Sequence, residues 1–151
     1  MKITLDDIIK EIIQTINKVM PNAGEQTPKV RVGIDSVMPI VGNMQEANLG
    51  QLEVRKALLS LKESLEPMGV TTIFTAEATS GGDGGVHLTT QLGNLERFIA
   101  RGVILLSYRS YGAGELVRHL RVLKMRGRGH DTAPKAYQIN KTGIDWIGEV
   151  I

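Results

Sequence analysis

Two stretches of this sequence carry residue types that could handle a phosphorylated ligand. The first is residues 30–36, Val-Arg-Val-Gly-Ile-Asp-Ser, an apolar run closing on Asp35 and Ser36. A carboxylate at the carboxyl end of a parallel strand faces the crevice where such sheets bind ligands. There it could hold Mg²⁺ through water, as strand-end aspartates do in phosphoryl-transfer proteins. The same residue type also serves simply to start a loop, and both readings stand. Residues 70–76 form a second apolar run, with Thr75 near its end and Glu77 just beyond. Two carboxylates at neighbouring strand ends could share a metal or position a water; the alternative for Glu77 is a strand-end residue meeting solvent.

The second stretch is Leu-Lys-Met-Arg-Gly at 123–127. On a strand, Lys124 and Arg126 project to one face, roughly 6–7 Å apart. An ammonium beside a planar guanidinium suits a polyphosphate held at two oxygens. A basic strand edge that discourages strand addition would look the same. His130 and Asp131 come within a few residues of it. His87, His119 and His130 have no metal-ligand spacing, so each reads as a surface or hydrogen-bonded residue. The glycine-rich run at 79–85 is not a phosphate-binding loop, because neither Gly-x-x-x-x-Gly-Lys-Ser/Thr nor Gly-x-Gly-x-x-Gly occurs in the chain. It reads as a surface loop.

Composition narrows the field. Of 151 residues, 42% are hydrophobic and 23% charged, enough apolar material to close one core. Cysteine is absent, which removes disulfides, thiolate zinc sites and thiol nucleophiles. The longest uncharged apolar run, near 102–108, is far too short to cross a bilayer, and the N-terminus does not read as a secretory signal. A cytoplasmic location is expected, with no membrane partner. Aromatics are only 4% and scattered, which argues against a stacking surface for nucleic acid. Net charge is +2, yet residues 115–135 hold six basic and two acidic side chains, a local excess of four. A local excess points to an anionic partner at one site.

The elements that must position these residues can be read from periodicity. Thr4 with Asp7 suggests a capped helix start. Leu5, Ile8, Ile9, Ile12, Ile13, Ile16 and Val19 then recur at helical spacing up to Pro21. Residues 22–28 read as a loop. A helix over 49–65 buries Leu52, Ala57, Leu58, Leu61 and Leu65. A short helix is expected over 92–100. The runs 30–36, 70–76 and 103–108 are nearly all apolar, the pattern of strands covered on both faces of a parallel sheet. Residues 115–125 alternate loosely and suit an exposed antiparallel strand. Residues 136–140 and 144–147 suit a hairpin turning at 141–143. The expected architecture is α/β, a single domain over 1–151, with a mainly parallel sheet flanked by helices and a β-rich tail from 114.

Taken in order, these pieces resemble the KaiC-like branch of the RecA superfamily of ATPases. The matching residues are the helix ending at Met20, Arg-Val-Gly-Ile-Asp-Ser at 31–36, Gly-Val-Thr-Thr-Ile-Phe-Thr-Ala-Glu at 69–77 and Arg-Gly-Val-Ile-Leu-Leu at 101–106. The most specific match is Leu-Arg-Val-Leu-Lys-Met-Arg-Gly-Arg-Gly-His at 120–130, followed by Tyr-Gln-Ile at 137–139 and Thr-Gly-Ile at 142–144.

The resemblance implies a RecA-like, P-loop NTPase type of fold, with ATP and Mg²⁺ as cofactors. Asp35 would be the Walker-B aspartate near the metal, with Ser36 beside it. Lys124 and Arg126 would be fingers reaching the γ-phosphate of a nucleotide on a neighbouring subunit, with His130 and Asp131 near that shared site. Thr75 and Glu77 would occupy a sensor-like strand end. Because no P-loop sequence is present, the chain resembles the C-terminal half of such a module, a fragment or split-gene half lacking the P-loop strand. It is expected to use ATP only with a P-loop-containing KaiC-like partner. The competing expectation is a non-enzymatic, oligomerising interaction module that has lost ATP binding. Strand edges without a neighbour further suggest a homo-oligomer, or direct pairing of 70–76 with 103–106.

Overall fold

The computed structural model describes residues 5–20, 30–37, 51–80, 88–90, 95–111 and 114–149. The suggested cap at Thr4, the loop at 22–28, most of the glycine-rich run and His87 lie outside them. The chain forms two compact units, Met1–Leu95 and Glu96–Ile151.

In the first unit, α1 (Leu5–Val19) and α2 (Gln51–Leu65) flank a pair of short strands, β1 (Arg31–Ile34) and β2 (Thr71–Phe74). Ile9 and Ile16 of α1 meet Leu61 and Leu65 of α2 in a buried cluster, and Val32 and Ile34 of β1 pack against it. Val54, Ala57, Leu58, Leu61 and Leu65 are the buried stripe of α2, one face at 3.6-residue periodicity. Leu52 departs from its expected burial and is 58% exposed. At 100° per residue it lies about 160° around the helix from Val54, on the solvent side. Val19, at the end of α1, is exposed as well.

β1 and β2 are parallel, in register from Arg31 opposite Thr71 to Ile34 opposite Phe74. They are not covered on both faces as expected. Val32, Ile34, Thr72 and Phe74 are half-buried, whereas Arg31, Gly33, Thr71 and Ile73 are exposed. The parallel sheet comprises these two strands among the described residues. A second pair, β3 (Ala78–Ser80) and β4 (Leu88–Thr90), is antiparallel. It was not legible in the sequence, where residues 79 and 80 read as loop.

The second unit opens with the last residues of α3 (Leu95–Ile99) and continues as a four-stranded antiparallel sheet. Its strands are β5 (Gly102–Tyr111), β6 (Glu115–Met125), β7 (Lys135–Asn140) and β8 (Gly143–Glu149), in that order. Three sequence expectations change here. The run at 103–108 does not join a parallel sheet with β1 and β2; it belongs to β5, antiparallel to β6. Only three residues separate β5 from β6, and a link that short joins strands only as a hairpin, since a parallel return needs a crossover of a dozen residues or more. Likewise 70–76 does not pair with 103–106, the two lying in separate sheets. Nor is β6 exposed along its whole length: it is bonded to β5 throughout and to β7 from Arg118 to Leu120, where His119 is 1% exposed, while at Lys124 its described pairing is with β5.

The hairpin of β7 and β8 forms as expected. Asn140 Oδ1 accepts hydrogen bonds from the Thr142 and Gly143 amides at 2.9 and 3.0 Å, and from the Thr142 hydroxyl. The asparagine side chain thus builds the turn. Gly143 takes φ 137°, a conformation that suits glycine.

Candidate functional site

β1 and β2 end together, so the next residue of each strand lies beside its counterpart. Beyond the last rung, the Thr75 amide donates to Ile34 O at 3.0 Å and the Val37 amide donates to Thr75 O at 3.2 Å. The two segments therefore stay parallel for another step, with Asp35 and Thr75 each the first residue past its strand. The Thr75 hydroxyl donates to Asp35 Oδ1 at 2.5 Å. It orients the carboxylate while leaving Oδ2 and the outward lone pairs of an exposed side chain open to solvent or ligand. The peptide bond between Asp35 and Ser36 is cis.

This donor set is one carboxylate and hydroxyls, all hard oxygen ligands. Among the described residues no group of three or more His, Cys, Asp or Glu could hold a metal ion. Oxygen donors of this kind suit Mg²⁺, which keeps several waters and is bound by one or two carboxylates plus substrate phosphates. Glu77 lies two residues past Thr75, exposed and just ahead of β3.

The other candidates lie on the second unit. Lys124, near the end of β6, donates from Nζ to Ala100 O at 3.0 Å and also to Arg97 O. Arg126, just past β6, donates from Nη2 to Phe98 O at 2.7 Å, and its amide donates to Arg101 O at 2.8 Å. The last carbonyls of a helix have no partner inside the helix and carry the negative end of its dipole. Both cations close the end of α3 in this way, side by side as the strand spacing requires. Partial burial and, after it, the neighbouring Arg126 guanidinium pull the Lys124 ammonium below its usual pKa.

Past the turn at Gly127 (φ 75°), the exposed His130 sits with Nδ1 3.5 Å from Arg128 O. Asp131 Oδ1 accepts from the Ala133 amide at 2.8 Å, and Oδ2 lies 3.0 Å from Lys135 Nζ. The amide hydrogen bond, and after it Lys135, holds the Asp131 carboxyl below the usual carboxylate range.

Of the eight candidates, Asp35 and Thr75 are bonded directly, Ser36 follows Asp35 and Glu77 lies two residues past Thr75, whereas Lys124, Arg126, His130 and Asp131 belong to the other unit. Sequence reasoning missed the carbonyls of α3 that engage the two cations. No side chain announces a backbone acceptor, and only the helix end itself, at Ala100 with Gly102 close behind, could have signalled it.

The model of the KaiC ATPase family, a branch of the RecA-like ATPases, matches residues 3–149, and the chain belongs to that family. Its structure is similar to that of a KaiC-like protein from the hyperthermophilic archaeon Pyrococcus horikoshii, with a TM-score of 0.70 and 29% sequence identity. The likeness covers 94% of this chain and 56% of the archaeal one, so the chain spans a little over half the length of that relative. No curated protein matches it. Membership of an ATPase family implies nucleotide and Mg²⁺ use in general.

Proposed function

We propose that this chain is one KaiC-like domain contributing to an ATP site that is complete only with a P-loop-containing KaiC-like chain. The observation that carries the reading is the Thr75 hydroxyl fixed on Asp35 at the common end of two parallel strands. Asp35 acts as the Walker-B carboxylate, and Ser36 lies beside it. When bound, Mg²⁺ neutralises charge on the phosphate oxygens. Asp35 binds on the metal side through water, Thr75 keeps its carboxylate turned outward, and Glu77 orients a water at the neighbouring strand end. Lys124 and Arg126 reach the γ-phosphate of a nucleotide held by the adjoining subunit, with His130 and Asp131 flanking that contact. The local basic excess at 115–135 supports an anionic ligand there.

A second reading has one observation in its favour: both Lys124 and Arg126 already bond the carbonyls of α3. On this reading they are structural, and the chain is a non-enzymatic, oligomerising module of the family. ATP turnover of the chain mixed with a P-loop-containing KaiC-like partner separates the two. Replacing Lys124 and Arg126 together by Ala should lower turnover by about 10³-fold or more if they act as fingers, the scale of arginine-finger effects. Unchanged turnover would leave only the second reading.

A further inference from the structure

β6 outruns β7. The two are bonded from Arg118, opposite Tyr137, to Leu120, opposite Lys135, and β6 continues to Met125. The same register would set Arg121 opposite Pro134, and proline has no amide hydrogen to give to a ladder. Residues 126–134, which carry Arg126, Arg128, His130 and Asp131, therefore return to β7 outside the ladder.

Arg121 supplies a substitute for the missing rung. Its guanidinium donates from Nε to Thr132 O at 2.7 Å. Arg121 is half-buried, whereas Arg128, His130 and Thr132 are exposed, so the bond runs from the sheet to the returning limb. Asp131 fastens the same limb from within. Its Oδ1 accepts from the Ala133 amide at 2.8 Å, and its Oδ2 meets Lys135 Nζ at 3.0 Å. The limb is thus held at three consecutive residues, Asp131, Thr132 and Ala133, directly after His130. On the other side of His130, Gly127 and Gly129 flank Arg128 and have no side chain to fasten. The placement of His130 is inherited from the pinned limb.

We propose that Arg121 is a positioning residue: through Thr132 it holds His130 where the nucleotide of the adjoining subunit meets it, an inference that rests on the shared ATP site proposed above. What Arg121 contributes is a donor at the Nε position, and its charge is incidental. Lys124 and Arg126 are fastened to the carbonyls of α3 instead, so they stay in place when Arg121 is replaced.

Two substitutions separate donor from charge. Glutamine carries its Nε2 donor at the same distance along the side chain as arginine Nε, without the charge, and methionine has the same length and no such donor. ATP turnover by the full chain mixed with a P-loop-containing KaiC-like chain reads the difference. Arg121→Met should raise the KM for ATP by about tenfold, the scale of one lost hydrogen bond to a charged group, with kcat unchanged. Arg121→Gln should keep KM within about twofold of the unmodified chain, because a donor remains. On a His130→Ala background, Arg121→Met should add less than about twofold, since residues that act through one another are not additive. A KM unmoved by Arg121→Met would overturn the proposal. So would Arg121→Gln as weak as Arg121→Met, full additivity with His130→Ala, or a loss confined to kcat. An unmodified mixture without turnover would deny the shared ATP site and the proposal with it, whereas turnover with KM unmoved denies the positioning role alone. If Arg121→Met loses its circular dichroism, the Arg121 Nε–H of the unmodified chain decides: it should exchange with water at least about tenfold more slowly than that of the exposed Arg128, and equal exchange would overturn the proposal.

Discussion

Thr75 and Asp35 are forty positions apart in the chain and joined by one 2.5 Å hydrogen bond, the threonine hydroxyl donating to Oδ1 of the carboxylate. The bond exists because β1 and β2 are parallel and in register to their last residues, Ile34 and Phe74. A shift of one residue would turn either side chain to the opposite face of the sheet. The register of two four-residue strands therefore determines whether the carboxylate is aimed or free to rotate.

Thr75→Val keeps the shape of the side chain and removes the donor. Since both groups are exposed, stability should fall by no more than about 1 kcal/mol in urea unfolding. Magnesium-dependent turnover with a P-loop partner should fall more steeply, by about tenfold, as the carboxylate loses its orientation. Turnover that tracks only the small stability loss would deny Thr75 a positioning role.

The core of the first unit should respond to truncation according to position on α2. Leu65 is buried against Ile9, Ile16 and Leu61, so Leu65→Ala should cost about 2–5 kcal/mol in urea unfolding. Leu52→Ala, on the solvent face, should stay within about 0.5 kcal/mol.

The two cations at the end of α3 give a local prediction. A five-residue helix is marginal by itself, and Arg126 bonds its carbonyl at Phe98. Arg126→Ala should cost about 1 kcal/mol, exposure discounting the usual value for a charged hydrogen bond. Amide exchange over 95–101 should quicken while that of α1 stays unchanged. Uniform exchange across the chain would mean that the contact does not hold the helix end.

Asp131 sets an acid limit. Its carboxyl is lowered in the folded chain by the Ala133 amide and then by Lys135. A carboxyl with a depressed folded value stabilises at pH above its ordinary value, near 3.9, and this contribution is lost as pH falls through the lowered folded value. Asp131→Asn should flatten the acid side of the stability–pH curve and leave its neutral-to-basic slope as it was. An unchanged acid limb would show that Asp131 titrates alike in the folded and unfolded chain.

Much of this was legible in the residues. The helix of isoleucines, the strand at 115–125 and the hairpin at Asn140 to Gly143 come from spacing and turn chemistry, and Asp35 and Thr75 fell at strand ends as expected. The direction of the third apolar run did not come with them. Val103, Ile104, Leu105 and Leu106 form an apolar run whichever way their neighbour points, and only the three-residue link to β6 fixes the pairing as antiparallel. Burial was overread for the same reason, since an apolar run looks alike whether one face or two are covered. Ile73, Ile104 and Leu106 are exposed where two covered faces were expected. The partners of Lys124 and Arg126 are backbone carbonyls, which residue types do not reveal.

Calorimetric titration of Mg-ATP into the chain alone, and into its mixture with a P-loop-containing KaiC-like chain, bears most directly on a site completed in trans. The chain alone should give no micromolar binding. The mixture should bind more tightly than the partner by itself, and Asp35→Asn should remove that gain. Micromolar Mg-ATP binding by the chain alone would contradict the account.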